Sequence, residues 1–273
     1  MRMGSALVLI ALVAAVGLSL KYSGGHHVVA VESVDTPRHG GEQVEIPLRV
    51  KGGRLVVPVK SSNGNELTFA LTTGYPITVL SQSGAARVGH GSELSLGGLP
   101  VPTDGSETIP DLNLTADGEV LDGMIGSNML NQFEVLIDVP GGRLLLGQVG
   151  RPVSWDGIAL SAPVNLRVYH GVVIGLDVEF AGKEYMAALD LGLPTLVVNE
   201  RVKTETNIDA EDVATLRIGN TTLTNVPVRA QELEIFHRWA PNGEGFVMVG
   251  APIAFECAIS ISWVKQEMRT CVR

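Results

Sequence analysis

The sequence predicts an all-β protein of two like lobes, each a small β-barrel, preceded by one hydrophobic helix at the N-terminus. Three observations carry that expectation. The chain repeats itself: Gly53-Arg-Leu-Val-Val-Pro-Val59 lies over Gly171-Val-Val-Ile-Gly-Leu-Asp177 at an offset of 118, which carries Thr72 onto Asp190, Gly74 onto Gly192, Pro76 onto Pro194 and Val79 onto Val197 without a gap. A second pair, Met124-Ile-Gly-Ser-Asn-Met-Leu-Asn-Gln-Phe-Glu-Val-Leu-Ile137 and Met248-Val-Gly-Ala-Pro-Ile-Ala-Phe-Glu-Cys-Ala-Ile-Ser-Ile261, lies at an offset of 124. Finally, the apolar residues come in short aliphatic and β-branched runs broken by turn residues, with 32 glycines in 273 residues, which is strand and hairpin patterning. A repeat of this length makes two lobes and not a solenoid.

Composition narrows the function classes. Hydrophobic residues make up 45% and charged residues 18% of the chain, enough apolar surface for a real core. The net charge of −9, with no Lys/Arg cluster, excludes a nucleic-acid role.

Residues 1–20 read as a signal anchor or signal peptide: Arg2 precedes an uncharged run from Met3 to Leu20, which as a helix would reach about 27 Å and just cross a bilayer core. The absence of a small-x-small cleavage site favours an anchor, and Arg2 on the short side places the remainder outside the cytoplasm. Residues 21–44 read as a linker, in which His26 and His27 lack the further ligands that a metal site needs. No cofactor or metal is expected.

The first lobe, 45–150, opens with alternation at Val44–Val50 and Leu55–Val59. The Asn-Gly of Ser61-Ser-Asn-Gly-Asn65 predicts a hairpin turn before the strand that ends at Thr72-Thr73-Gly74. A strand at Ile77–Leu80, a short helix or loop over 81–88 and a glycine-turned hairpin about Gly97-Gly98 follow. Phe133–Asp138 and Arg143–Leu146 close the lobe. The second lobe, 151–273, repeats this plan, with Gly219-Asn220 in place of Gly97-Gly98. Its last hairpin turns near Val264-Lys265, seven residues from each of Cys257 and Cys271, which predicts a disulfide between its arms.

The organising stretch is Met186-Ala-Ala-Leu-Asp-Leu-Gly-Leu-Pro-Thr-Leu-Val-Val198, an apolar run with one carboxylate, Asp190, at its bend. A buried acid needs N–H donors, a partner charge or a shared proton. Two lobes, each with an apolar strand, an acid-x-Gly turn, a second strand, a hairpin, and two apolar residues followed by Gly, resemble the aspartic proteases of the pepsin and retropepsin-like group. Leu121-Asp-Gly-Met-Ile-Gly-Ser-Asn-Met-Leu-Asn-Gln-Phe-Glu-Val-Leu-Ile-Asp138 is especially similar to the bacterial retropepsin-like pattern.

The resemblance implies a bilobal pepsin-like acid-protease fold, probed by an Asp-Thr-Gly turn from each lobe. In such a dyad two facing carboxylates share one proton, one serving as base toward water and the other as acid toward the peptide carbonyl. Here both turns depart from the pattern. The first reads Thr72-Thr73-Gly74, with Thr72 in the acid's place; the second reads Asp190-Leu191-Gly192, with Leu191 in place of the bridging threonine. Asp190 is the remaining acid and Thr72 its degenerate partner. By resemblance Thr73, Gly74, Gly192 and the Gly97-Gly98 turn would line a cleft that holds an extended peptide or protein segment. The expectation is a monomeric, extracytoplasmic pseudoprotease; the alternative is an active aspartic endopeptidase that pairs Asp190 with another acid, with Asp104, Asp111 and Asp122 as the candidates in the first lobe.

Overall fold

The computed structural model describes residues 43–103, 106–151, 153, 157–169, 173–209, 211–240 and 242–271. The apolar segment 1–20 and nearly all of the linker lie outside the described residues, as does Asp104. Among the described residues no helix is long and apolar enough to cross a membrane.

The two halves share the order of their central elements. In the first, Arg54–Ser61 and Glu66–Leu71 form an antiparallel hairpin, Val79–Ser81 follows, and Gly123–Ile125 inserts between the last two, parallel to Glu66–Leu71 and antiparallel to Val79–Ser81. In the second, Val173–Phe180, Lys183–Leu189, Leu196–Val198 and Phe246–Val249 are arranged likewise. A short helix follows the third strand in each half. Gln82–Val88 is capped by Ser81, whose hydroxyl accepts from Gly84 N, and Glu200–Thr206 by Asn199, whose side chain accepts from Val202 N. Ser and Asn at these positions satisfy N–H groups that a helix start leaves unpaired.

The two expected lobes are present as barrel and half-barrel sheets, joined by a sheet they share. The closing hairpins do not return to their own lobes. Glu134–Asp138 pairs antiparallel with Ile259–Ser262, so that both hairpins join one six-stranded sheet, flanked at its edges by Val44–Pro47 and Val164–Asn165. Moreover, the second lobe's own sheet closes on itself through Glu179 and Phe180 against Arg217 and Leu216, whereas the first lobe's sheet stays open. Strands with both faces covered, such as Val135, Leu136 and Ile137, are apolar throughout, which is why no alternation marks them in the sequence. One continuous core, from Leu55 and Phe69 through Val135 and Ile261 to Leu189 and Val249, runs through both halves.

Cys257 and Cys271 form the expected disulfide, with their Cα atoms 5.4 Å apart, and the hairpin between them turns around the exposed Val264. Closing a loop of this length stabilises by about 3 kcal/mol. Reduction, or a Cys257→Ala/Cys271→Ala double substitution, is therefore expected to lower the denaturant-unfolding free energy by roughly that amount, within about 2–4 kcal/mol.

Candidate active site

The inserted strands set the geometry. Thr72 N donates to Ile125 O at 3.0 Å and Asp190 N donates to Val249 O at 2.9 Å, so each turn is anchored by the strand that ends in an apolar-Gly element. The anchoring needs glycine there: a Cβ on Gly126 would lie 2.9 Å from Thr78 N, and one on Gly250 would lie 2.7 Å from Leu193 O.

The turns meet face to face across the lobe interface. Thr72 Oγ1 donates to Asp190 Oδ1 at 2.7 Å, and Oδ1 also accepts from Gly192 N at 2.9 Å and from Gly74 N at 3.3 Å. The Thr72 hydroxyl in turn accepts from Gly74 N and Tyr75 N, both at 3.2 Å. Thr72 is 2% exposed, Asp190 half-buried. Both glycines permit this approach, since a Cβ on Gly74 would lie 2.5 Å from Asp190 Oδ2, and one on Gly192 would lie 2.9 Å from Thr72 Cβ.

A second bridge spans the interface in one direction only. Thr73 Oγ1 donates to Leu189 O at 2.8 Å and accepts from Leu191 N at 3.1 Å. Leu191 has no hydroxyl to return these bonds, and its side chain is wholly buried in the main core. Leu193 packs with the second lobe's Met248 and Phe236 cluster, while Tyr75 packs in the first lobe with Val56 and Leu121. Burial pushes the Tyr75 phenol up to about 12, reinforced by the charge of Glu107 and by its hydrogen bond to that residue.

Thr72, Thr73, Gly74, Asp190 and Gly192 thus assemble as the sequence suggests, but the Gly97-Gly98 turn does not cover them. Its hairpin pairs with Lys60 and Ser61, and Lys60 lies opposite Glu66, six residues before Thr72 along the strand, roughly 20 Å away at 3.3 Å per residue. There a Cβ on Gly97 would strike Val44 and Ile46, and one on Gly219 would strike Val164, so both glycine turns pack on the edge strands of the shared sheet. Of the acids weighed as partners for Asp190, Asp111 and Asp122 are engaged elsewhere. Asp122, 4% exposed, pairs with Arg87 Nη1 at 2.7 Å and accepts from Thr68 N at 2.8 Å; Asp111 accepts from Ser83 N and Oγ.

Sequence reasoning missed Arg54. The turn Gly52-Gly53 reaches the second lobe, where a Cβ on Gly53 would lie 2.9 Å from Pro194 Cβ, and Arg54 Nη1 donates to Gly192 O. The same turn holds the hairpin formed by Thr115–Ala116 and Glu119–Val120, through Gly52 N to Asp117 Oδ2 at 2.8 Å and an ion pair between Lys51 and Glu119. The only signal in the sequence was a lone cation after two glycines, with no counterpart at Val172. Among the described residues, no group of three or more His, Cys, Asp or Glu side chains is placed to hold a metal ion.

No protein-family model matches the sequence, and no curated protein matches it. Among solved structures, the chain is similar to the crystal structure of aspartic proteinase from Irpex lacteus, with a TM-score of 0.52 and 13% sequence identity over 85% of this chain and 97% of that one. At that identity the likeness is one of fold: the described chain is mostly β and pepsin-like.

Proposed function

We propose that this pepsin-like chain is a pseudoprotease, held to a membrane by residues 1–20 and exposed outside the cytoplasm, whose interlobe cleft binds a peptide or protein segment without hydrolysing it. The observation that carries the reading is the hydrogen bond from Thr72 Oγ1 to Asp190 Oδ1 at 2.7 Å, where the dyad chemistry needs a second carboxyl group. A hydroxyl donates there, but it supplies neither the shared proton nor the complementary acid. Loss of one positioned acid–base group costs about 10²–10⁴ in rate, and more where two groups act as a unit. A bound segment would lie extended across the turns and draw affinity from its backbone hydrogen bonds. Of the acids that the peptidase alternative could draw on, Asp111 and Asp122 are committed to other partners. The membrane assignment rests on the sequence of residues 1–20 alone.

The test is peptide hydrolysis by the full chain in neutral detergent, on a mixed peptide library from acid to neutral pH, beside Asp190→Asn. Neither protein is expected to cleave. Cleavage by the native chain that disappears in Asp190→Asn would overturn the reading.

A further inference from the structure

Arg54 is an underused cation at the lobe interface. Its side chain is half-buried, and that burial pulls its pKa down against the support of the Asp190 charge, yet an arginine stays charged throughout the physiological range. Of its five N–H donors, one is spent on Gly192 O, and among the described residues no carboxylate forms an ion pair with it. The Asp190 charge supports Arg54 from nearby without an ion pair, and its Oδ1 accepts from Thr72, Gly192 and Gly74. A half-buried cation with unspent donors gains most from a carboxylate, which a guanidinium grips with two parallel bonds. Its position is fixed on both sides, by the Gly52-Gly53 turn resting on Pro194 and by the bond to Gly192 O, so the fork is preorganised for such a partner.

We propose that Arg54 anchors the ligand of this cleft by taking a carboxylate of the bound segment, either its C-terminal group or an Asp/Glu side chain, beside the Thr72–Asp190 pair. The inference deepens the peptide-binding reading and rests on it. Long-range attraction cannot mimic the effect, because a chain of net charge −9 repels acidic peptides, and a preference for them has to arise locally.

The experiment measures binding of three fluorescent peptides to the full chain in neutral detergent: tetra-alanine with a free C-terminus, the same peptide as its C-terminal amide, and an amidated Ala-Ala-Asp-Ala. At least one of the two charged peptides is expected to bind about tenfold or more tightly than the neutral one, and which of them does identifies the source of the carboxylate. Arg54→Gln, which keeps an N–H for Gly192 O, is expected to abolish that difference, and Arg54→Lys, a point charge without the fork, to keep only part of it. A preference that survives in Arg54→Gln overturns the proposal. Equal binding of all three peptides overturns the carboxylate anchor and leaves the peptide-binding reading standing, whereas binding of none overturns both. If Arg54→Gln fails to fold, the comparison in the native chain and in Arg54→Lys still decides. Should any peptide be hydrolysed, the pseudoprotease reading falls, and the same comparison is made in Asp190→Asn.

Discussion

Thr72→Asp is expected to confer peptide hydrolysis at acid pH that the native chain lacks. The Thr72 hydroxyl oxygen stands 2.7 Å from Asp190 Oδ1 and already receives the turn N–H groups of Gly74 and Tyr75, so a carboxylate at residue 72 would enter a site built to receive one. Two carboxylates at that distance cannot both ionise, and they would share a proton. A gain of at least about 10² over native in cleavage rate is expected, and it should vanish in Thr72→Asp/Asp190→Asn. Stability supplies an independent readout. A proton shared between two carboxyls on folding is lost at higher pH than from a free one, so relative to the native chain the variant is expected to lose stability as pH rises through that second ionisation. A variant that melts with this pH dependence yet cleaves nothing would show that the cleft lacks more than an acid.

Gly74→Ala is expected to be the most damaging single-methyl change at the interface. Its Cβ would lie 2.5 Å from Asp190 Oδ2 and 2.6 Å from Asp190 Cβ, and neither atom is the end of a long, adaptable side chain. Asp190 is pinned by three donors, so relief requires the two turns to part, breaking the bonds of Thr72 and Thr73 together. Overpacking costs about 1–3 kcal/mol where neighbours can shift; with these bonds lost, about 3 kcal/mol or more is expected, or roughly 6–12 °C in melting temperature for a domain of this size. Gly192→Ala makes a useful contrast, because its Cβ meets Thr72 Cβ at a less severe 2.9 Å. A Gly74→Ala protein that melts with the native one would mean that the turns are held apart in solution.

Much of this arrangement was legible in the chain because local chemistry dictates it. Thr72 and Asp190 share an offset and a flanking glycine, and those glycines are required by the close approach of the turns, so the sequence pattern and the contact have one cause. The hairpin at Asn63-Gly64 and the helix behind Ser81 were equally local. What escaped was set by long-range packing. Nothing near Glu134–Asp138 states that its partner is Ile259–Ser262, and a strand buried on both faces carries no alternation to reveal which edge is free. The Gly97-Gly98 turn was misplaced for a related reason: its glycines signal a hairpin but not the surface on which it rests, which is Val44 and Ile46. The helix Glu234–Trp239 has no counterpart in the first lobe, where Asp111–Leu114 and a small hairpin occupy that part of the chain, so the repeat could not announce it. Arg54 was hidden because its partner, Gly192 O, is a backbone atom.

The pairing of Glu134–Asp138 with Ile259–Ser262 postpones completion of the shared sheet during biosynthesis. When Ile137 leaves the ribosome, its partner Ile259 is still 122 residues away, and at about 5–20 residues per second it follows roughly 6–24 s later. Through that interval Arg143–Gly147 can cover one side of Glu134–Asp138, but the other side offers an unpaired row of N–H and C=O groups with Val135, Leu136 and Ile137 behind it. The strand ends in charges, Glu134 and Asp138, which in the finished protein are buried and bonded to Gly150, Ser262, Gly141 and Arg143. In the nascent chain the same two carboxylates would serve as gatekeepers, since charges that flank an apolar edge discourage it from stacking on its neighbours.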